Sequence, residues 1–141
     1  MKKYDALLLK NQLCFPLYAT SREVIKKYRP HLDKIGLTYT QYLTMMVLWE
    51  ADEINVTELG KRLFLDSGTL TPVLKSLEQK GFITRCRLLK DERVLIVRIT
   101  EQGKALRDEA VSIPCELRNN VKLTEEEAKT LYTLLYKLLD N

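Results

Sequence analysis

The chain has 141 residues, of which 45% are hydrophobic and 30% charged, so it fits one globular domain rather than a disordered chain. Its net charge of +4 favours a polyanionic partner without requiring one. The apolar run at 6–9 is too short for a signal peptide, and no stretch is long enough to span a membrane. We therefore expect a cytoplasmic protein without membrane association, whose three cysteines stay reduced unless a sensing chemistry uses them.

The first predicted helix runs from about Leu13 to Tyr28. It is expected to stop near Arg29, because the residue before a proline, here Pro30, is pushed away from helical angles. Pro16 is tolerated because a proline in the first turn of a helix removes no helical hydrogen bond.

Three more helices are predicted before the first segment with a β-strand pattern. Thr38 with Gln41 has the spacing of a capping box, and Asn55 is a cap residue for the next helix. A turn-rich break at 65–68 separates that helix from a fourth, which Gly81 terminates. The fourth helix is predicted to bury one face, formed by Leu70, Val73, Leu74 and Leu77.

The segments 82–88 and 93–100 are rich in β-branched and apolar residues and flank a charged tip at 90–92. This pattern predicts a β-hairpin. A helix, a short turn, a second helix and a hairpin occur in the order of a winged helix-turn-helix.

Two further helices are predicted at the C-terminal end. One begins at Thr100 and ends near Ser112, because Pro114 follows. The other begins at Thr124 and carries a stripe of leucines along one face. This face has more large apolar residues than a solvent-exposed helix usually carries. We expect the first and last helices to form the interface of a homodimer, with this stripe packed into it: Leu131, Leu134, Leu135 and Leu138.

The face of the fourth helix opposite its leucines is the candidate surface for reading DNA. Its small side chains allow a close approach to base edges, and its hydroxyl and cationic groups can bond phosphates or bases. The candidate residues are Ser67, Thr69, Thr71, Lys75 and Gln79, with Ser76 beside them.

The hairpin adds basic residues to this surface. Arg85 and Arg87 have the same parity on its first strand, and Lys90 and Arg93 lie around its tip. An arginine at a hairpin tip can enter a narrow minor groove, where the negative potential is enhanced.

Cys14 is the candidate redox residue because it lies at or just before the N-terminus of the first helix. The partial positive charge of that helix end stabilises a thiolate, and a thiolate reacts with peroxides to give a sulfenic acid. Tyr18 follows four residues later, so it shares a helix face with Cys14, and its phenol can donate a hydrogen bond to the thiolate.

These motifs together resemble the MarR family of winged-helix regulators, and more narrowly its organic-hydroperoxide-sensing OhrR branch. The resemblance covers nearly the whole chain up to about Pro114. It is carried by Asn11-Gln12-Leu13-Cys14-Phe15, Tyr18, Tyr28, Leu37-Thr38-Tyr39, Gln41-Tyr42, Leu48-Trp49-Glu50, Leu65 to Pro72, and the wing element Asp91-Glu92-Arg93.

The resemblance implies a repressor that binds a near-palindromic double-stranded DNA operator and releases it when an organic hydroperoxide oxidises Cys14. It also implies that tyrosines matching Tyr28 and Tyr39 reach the thiol from the partner subunit, and that the wing contacts DNA through Asp91 and Arg93. The expected fold is mainly α with a small β-hairpin. It forms one domain at 1–141, with a DNA-binding lobe at about 38–100 and dimerisation helices at about 1–30 and 101–141.

Several alternatives stay open at this point. The operator could instead be released by a small phenolic or lipophilic ligand, the protein could be a thiol peroxidase, or the winged helix could bind other proteins. Cys115 is a possible resolving cysteine, although a one-cysteine mechanism is slightly favoured because Cys115 is displaced from the expected position, and Cys86 is treated as incidental. Since His31 is the only histidine, neither a catalytic triad nor a typical zinc cluster can be built, and the sequence has no phosphate-binding glycine loop. We therefore expect no metal site, no cofactor and no enzymatic activity.

Overall fold

The structure is a computed structural model that describes residues 2–140. Met1 and Asn141, the two ends of the predicted 1–141 domain, lie outside the described residues. Two short 3-10 turns at Asp5–Leu7 and Leu9–Asn11 precede the first helix. The helices are α1 (Cys14–Asp33), α2 (Tyr39–Ala51), α3 (Val56–Leu63), α4 (Ser67–Gln79), α5 (Glu101–Ala110), α6 (Ile113–Arg118) and α7 (Glu125–Leu139), and the strands are β1 (Glu53–Asn55), β2 (Ile83–Arg87) and β3 (Leu95–Ile99).

Helix α1 begins at Cys14, as predicted, but it does not stop at Arg29. It continues through Pro30 to Asp33, so the predicted end was wrong. Proline removes one helical hydrogen bond, yet the last turn gains packing that offsets this loss. Leu32 is buried there, and His31 Nδ1 lies 2.7 Å from Glu116 Oε2 on α6.

The helix starts follow the predicted caps. The Thr38 hydroxyl accepts a hydrogen bond from the Gln41 N–H, and the Gln41 side chain accepts one from the Thr38 N–H. Asn55 Oδ1 accepts from Glu58 N at 2.7 Å at the start of α3. Each cap satisfies backbone donors that have no partner inside the helix, which fixes where the helix begins.

The hairpin is part of a three-stranded antiparallel sheet in the order β1-β3-β2. Strands β2 and β3 form the predicted hairpin, with Arg85 opposite Val97. Strand β1 was not predicted, because three residues with an exposed–buried–exposed pattern are too short to stand out in the sequence. Its Ile54 pairs with Val97 and is buried against the same core.

Pro114 begins a helix rather than only ending one. Helix α5 ends at Ala110, and Pro114 lies in the first turn of α6, where a missing N–H costs nothing. Ile113 and Leu117 of α6 are buried, so packing against the core stabilises a six-residue helix that is too short to stand alone. The prediction of one helix ended by Pro114 missed this element.

The core lies among α2, α4 and the sheet, and the leucines of α4 are almost completely buried within it. In contrast, α7 has no buried residue: Leu131, Leu134 and Leu138 of its leucine stripe are exposed in the single chain, and Leu135 is half-buried. Among residues 2–140, no helix combines the length and apolar character that crossing a membrane requires. The mainly helical architecture with a small sheet confirms the predicted winged-helix fold class.

Candidate DNA-binding surface and thiol site

Helix α4 presents its N-terminal turn and polar face outward. Asp66 is the N-cap, and its Oδ1 accepts a hydrogen bond from Thr69 N at 2.7 Å. The hydrogen bonds from the Thr69 backbone, and then from its side chain, lower the pKa of the Asp66 carboxyl. With the leucines held in the core, Ser67, Thr69, Lys75 and Gln79 are exposed on the outer side.

Two hydroxyl groups on α4 are already engaged within the protein. Thr71 Oγ1 donates to Ser67 O at 2.7 Å, which leaves its acceptor capacity available. Ser76, predicted to flank the DNA-facing surface, instead accepts a hydrogen bond from Gln41 Nε2 at 2.9 Å. The interpretation of Ser76 as DNA-facing was therefore wrong: its side chain lies in the contact between α2 and α4.

The tip of the hairpin is shaped by its own acidic residue. Asp91 Oδ1 accepts hydrogen bonds from Arg93 N at 3.0 Å and Arg93 Nε at 3.2 Å. The Arg93 side chain is still 92% exposed, so its terminal nitrogens can reach an external acceptor. Arg87 NH1 donates to Glu92 O at 3.0 Å, which joins the strand to the tip, and Lys90 is exposed beside it.

Arg85, a predicted DNA contact, is paired with Glu78 in the structure. Its NH2 lies 3.1 Å from Glu78 Oε1, and its backbone N–H donates to Glu78 Oε2 at 3.0 Å. The hydrogen bond from the Arg85 side chain lowers the pKa of Glu78. Since its charge is neutralised and its side chain mostly buried, Arg85 fixes the wing to the end of α4. Arg85 and Arg87 occupy the same face of the strand, so their spacing in the sequence could not show that Arg85 is the one paired with Glu78.

Cys14 is the first residue of α1 and is exposed. Within residues 2–140, no hydrogen bond reaches its sulfur. Tyr18, the predicted donor, has its ring 5.5 Å from the Arg22 guanidinium, and Arg22 NH1 donates to Tyr18 Oη at 3.4 Å. In the single chain, therefore, Tyr18 bonds Arg22 and does not bond Cys14.

Tyr28, Tyr39 and Tyr42 form a tyrosine cluster where α1 packs on α2. The ring centroids of Tyr28 and Tyr39 are 4.9 Å apart, and those of Tyr28 and Tyr42 are 5.8 Å apart. Burial raises the pKa of Tyr28, and burial followed by the charge of Tyr28 raises that of Tyr39. Burial raises the pKa of Tyr42 to about 12, with Tyr28 and Tyr39 adding to the shift. All three phenols therefore stay protonated at neutral pH and can donate hydrogen bonds.

The tyrosine cluster and Cys14 lie far apart in one chain. Fourteen residues separate Cys14 from Tyr28 on a continuous helix, which at 1.5 Å per residue is about 21 Å. Cys115 lies next to Glu116, which contacts His31 seventeen residues beyond Cys14, or about 25 Å along the same helix. One chain therefore brings neither the tyrosines nor Cys115 to the thiol.

A cleft of about 640 Å³ lies between α1, α6 and α7, and the sequence did not predict it. Tyr28 and Val24 line it from α1, Pro114 and Leu117 from α6, and Lys129 from α7. Among these residues, only the apolar ones stood out in the sequence, as candidates for burial. Apolar periodicity does not distinguish the lining of a cleft from a packed core.

The chain matches the family described as transcriptional regulator SarA/Rot over residues 21–110. It is 49% identical over 138 residues, 98% of this chain and 94% of that protein, to the organic hydroperoxide resistance transcriptional regulator of Bacillus subtilis (strain 168). It is 45% identical over 123 residues, 87% of this chain and 83% of that protein, to the HTH-type transcriptional regulator SarZ of Staphylococcus aureus (strain USA300).

Among solved structures, the chain is similar to AbfR of Staphylococcus epidermidis in two redox states. Reduced AbfR bound to DNA is 34% identical, with a TM-score of 0.81 over 99% of this chain and 97% of that one. Disulfide-formed AbfR is 36% identical, with a lower TM-score of 0.66 over 97% and 96% of the two chains. The fold, the thiol motif and these relatives agree, and the chain belongs to the MarR-type winged-helix transcriptional regulators, in the branch of the organic hydroperoxide resistance regulators.

Proposed function

We propose that Cys14 is the thiol through which this DNA-binding repressor senses organic hydroperoxides and then releases its operator. The observation that carries this proposal is the position of Cys14: it is exposed and is the first residue of α1. An exposed sulfur at this position is open to an oxidant, and it lies beside backbone N–H groups that have no partner inside the helix. The regulator acts on DNA, so we place it in the cytoplasm.

The oxidation step transfers one oxygen atom. The Cys14 thiolate attacks an oxygen of the hydroperoxide, an S–O bond forms and the O–O bond breaks. The alkoxide leaves and takes a proton to become an alcohol, so sulfur is oxidised by two electrons and the peroxide is reduced by two. A sensor undergoes this step once for each oxidation event, whereas a thiol peroxidase turns over.

A second copy of the chain completes the site. Tyr28 lies about 21 Å along α1 from Cys14 in one chain, and Tyr39 packs on Tyr28, so they reach a thiol only if it comes from a partner subunit. The exposed apolar residues at both ends of the chain, from Leu7 to Leu17 and along α7, support an extensive interface between such subunits. We propose that 1–30 and 101–141 form this interface and that 38–100 form the DNA-binding lobe.

The same arrangement bears on how the oxidised state is trapped. Tyr28 and Pro114 line one cleft, and Cys115 follows Pro114. We expect a partner's Cys14 that reaches Tyr28 to approach the segment of α6 that carries Cys115. We propose that Cys115 attacks the sulfenic acid across the dimer, forming a disulfide and releasing water. This reverses the slight preference for a one-cysteine mechanism drawn from sequence position, and the disulfide-formed structure of the relative AbfR supports it.

For DNA binding, we propose that α4 enters the major groove and that the wing contacts the minor groove. Two copies would read half-sites about one helical turn apart, so the operator is near-palindromic. Exposed side chains support this assignment at seven positions: Ser67, Thr69, Lys75, Gln79, Arg87, Lys90 and Arg93. The proposal also keeps the half-buried Thr71 and Asp91, and it leaves out Arg85.

Peptide mass spectrometry after treatment with one equivalent of cumene hydroperoxide tests the assignment. A dimedone adduct at Cys14, or a Cys14–Cys115 disulfide crosslinked between subunits, supports it. Modification first at Cys86 contradicts it. Consumption of many equivalents of hydroperoxide per chain, with thiol present as reductant, would identify a peroxidase instead.

A mixed dimer tests the contribution of the partner subunit. One subunit carries Cys14→Ser and the other carries Tyr28→Phe with Tyr39→Phe, so the remaining Cys14 faces unmodified tyrosines across the interface. Rapid oxidation of this dimer, and slow oxidation of the homodimer that lacks both tyrosines, is the expected pair of results. Equal rates contradict the arrangement across subunits.

The cleft also favours a second candidate function, release by a small phenolic or lipophilic ligand. Its volume of about 640 Å³ lies within the range of small-molecule sites, and Lys27 and Lys129 lie at its edge. A phenolic carboxylate that releases the operator from Cys14→Ser as readily as from the unmodified protein would support this function over thiol sensing.

A further inference from the structure

Gln41 is the centre of a hydrogen-bond network that connects α2 with α4. The residue is only 5% exposed. Its Oε1 accepts from Thr38 N at 3.0 Å and from Lys80 Nζ at 2.9 Å, and its Nε2 donates to Ser76 Oγ at 2.9 Å. Lys80 Nζ also donates to Gly36 O at 2.6 Å, in the loop between α1 and α2. We call this set of bonds the Gln41 network.

The network holds the amide in one orientation. Exchanging the oxygen and nitrogen of Gln41 would point its NH₂ group at the Thr38 N–H and the Lys80 ammonium, which are both donors. The residue therefore has a fixed geometry across the contact. It is separated from Ser76 by 35 positions and from Lys80 by 39.

The first turn of α2 has two functional neighbours. Tyr39 and Tyr42 pack on Tyr28 of α1, with centroid distances of 4.9 Å and 5.8 Å to that ring. Gln41 lies between Tyr39 and Tyr42 in sequence and bonds the C-terminal part of α4. One rigid turn thus joins the tyrosine cluster to the candidate recognition helix.

We propose that the Gln41 network is the connection through which the state of the tyrosine cluster sets the position of α4, with Lys80 and Gln41 as positioning residues. This inference rests on the proposed function, in which Cys14 oxidation changes the surroundings of Tyr28 and Tyr39. A shift of the first turn of α2 either carries Ser76 and Lys80 with it or breaks their bonds to a buried amide. Because an unsatisfied buried amide is costly, α4 follows α2.

The experiment measures operator affinity for the reduced and the hydroperoxide-oxidised full-length protein and compares their ratio between variants. Lys80→Met keeps the aliphatic stem and removes both donations. We expect it to reduce the oxidised-to-reduced ratio of Kd at least tenfold, while the rate of Cys14 oxidation changes less than twofold. Lys80→Arg, which keeps donors, should restore most of the ratio. Lys104→Met, which removes an exposed lysine paired with Glu101, is the charge-matched control.

Ser76→Ala provides a smaller perturbation of the same network and should lower the ratio in the same direction. If Lys80→Met and Ser76→Ala weaken operator binding equally in both redox states, the network has only a structural role and the inference is overturned. If the unmodified protein itself shows the same operator affinity before and after oxidation, the proposed function fails and the inference fails with it. The unmodified protein and the variants therefore report separately on the two proposals.

Discussion

Tyr28 and Tyr39 lie with their ring centroids 4.9 Å apart where α1 packs on α2, although Tyr28 is on the helix that carries Cys14. Fourteen residues of continuous helix, about 21 Å, separate Tyr28 from the thiol of its own chain, so the pair does not reach it. The sensing arrangement we propose is therefore a property of two subunits.

The buried phenol of Tyr42 should make folding stability fall at alkaline pH. Its pKa is about 12 in the folded protein and about 10 when unfolded, so its contribution is fully present below pH 10 and is lost between pH 10 and 12. The expected loss from this group is about 3 kcal/mol over that whole range, of which about 2 kcal/mol is reached by pH 11.5. Urea unfolding from pH 9 to 11.5 measures it, and Tyr42→Phe should show a distinctly shallower decline. Parallel curves for the two proteins would contradict the burial of this phenol.

Arg93→Ala should weaken operator binding by roughly 1–3 kcal/mol and reduce its salt dependence. The terminal nitrogens of Arg93 extend from a tip that Asp91 holds in shape, so the guanidinium is available to DNA. Fluorescence anisotropy against sodium chloride concentration measures both effects. Lys104→Met, which removes one positive charge on α5, is the matched control. If Arg93→Ala leaves both the operator affinity and its salt slope unchanged, the wing does not contact DNA.

Arg85→Met should lower folding stability and leave the salt dependence of operator binding unchanged. Removing the guanidinium leaves Glu78 with only the backbone N–H of residue 85 as a donor, and we expect a loss of about 1–2 kcal/mol in the free energy of unfolding. The slope of operator affinity against salt should stay the same, since Arg85 makes no phosphate contact in this arrangement. Paired denaturation and binding measurements check this, and a salt slope reduced as far as in Arg93→Ala would restore Arg85 to the DNA surface.

Leu134→Glu should dissociate the dimer. Leu134 is 53% exposed in the single chain and lies in the apolar stripe of α7, so a charge there would be buried without a partner at the interface. Sedimentation at micromolar concentration should show a monomer, whereas Thr133→Glu on the opposite face of the same helix should leave the dimer intact. A dimeric Leu134→Glu protein would place the interface elsewhere.

Local chemistry in the sequence predicted much of the fold. The caps at Thr38 and Thr124 fixed helix starts because backbone donors at a helix end need partners nearby in the chain. The leucine periodicity of α4 fixed which of its faces is buried. These signals act over a few residues and need no tertiary contact.

The errors arose where tertiary packing outweighed local preference. Pro30 lies inside α1 because the following turn packs against α6, and Pro114 begins a helix that only its buried side chains stabilise. Ser76 and Arg85 were predicted from helix and strand periodicity to face DNA, yet their side chains bond other parts of the protein: Gln41, 35 positions away, and Glu78, on the preceding helix. Periodicity shows which face a residue occupies, but not which side chain it meets there.

The most direct test of the central claim follows operator release in real time. Reduced protein is bound to a fluorescent operator duplex, an organic hydroperoxide is added, and anisotropy is recorded for the unmodified protein, Cys14→Ser and Cys115→Ser. We predict release from the unmodified protein, reversal by added dithiothreitol, and continued binding by Cys14→Ser. Full release requires on the order of 5 kcal/mol of differential stability between the two states. Release of Cys14→Ser at the rate of the unmodified protein would contradict the account.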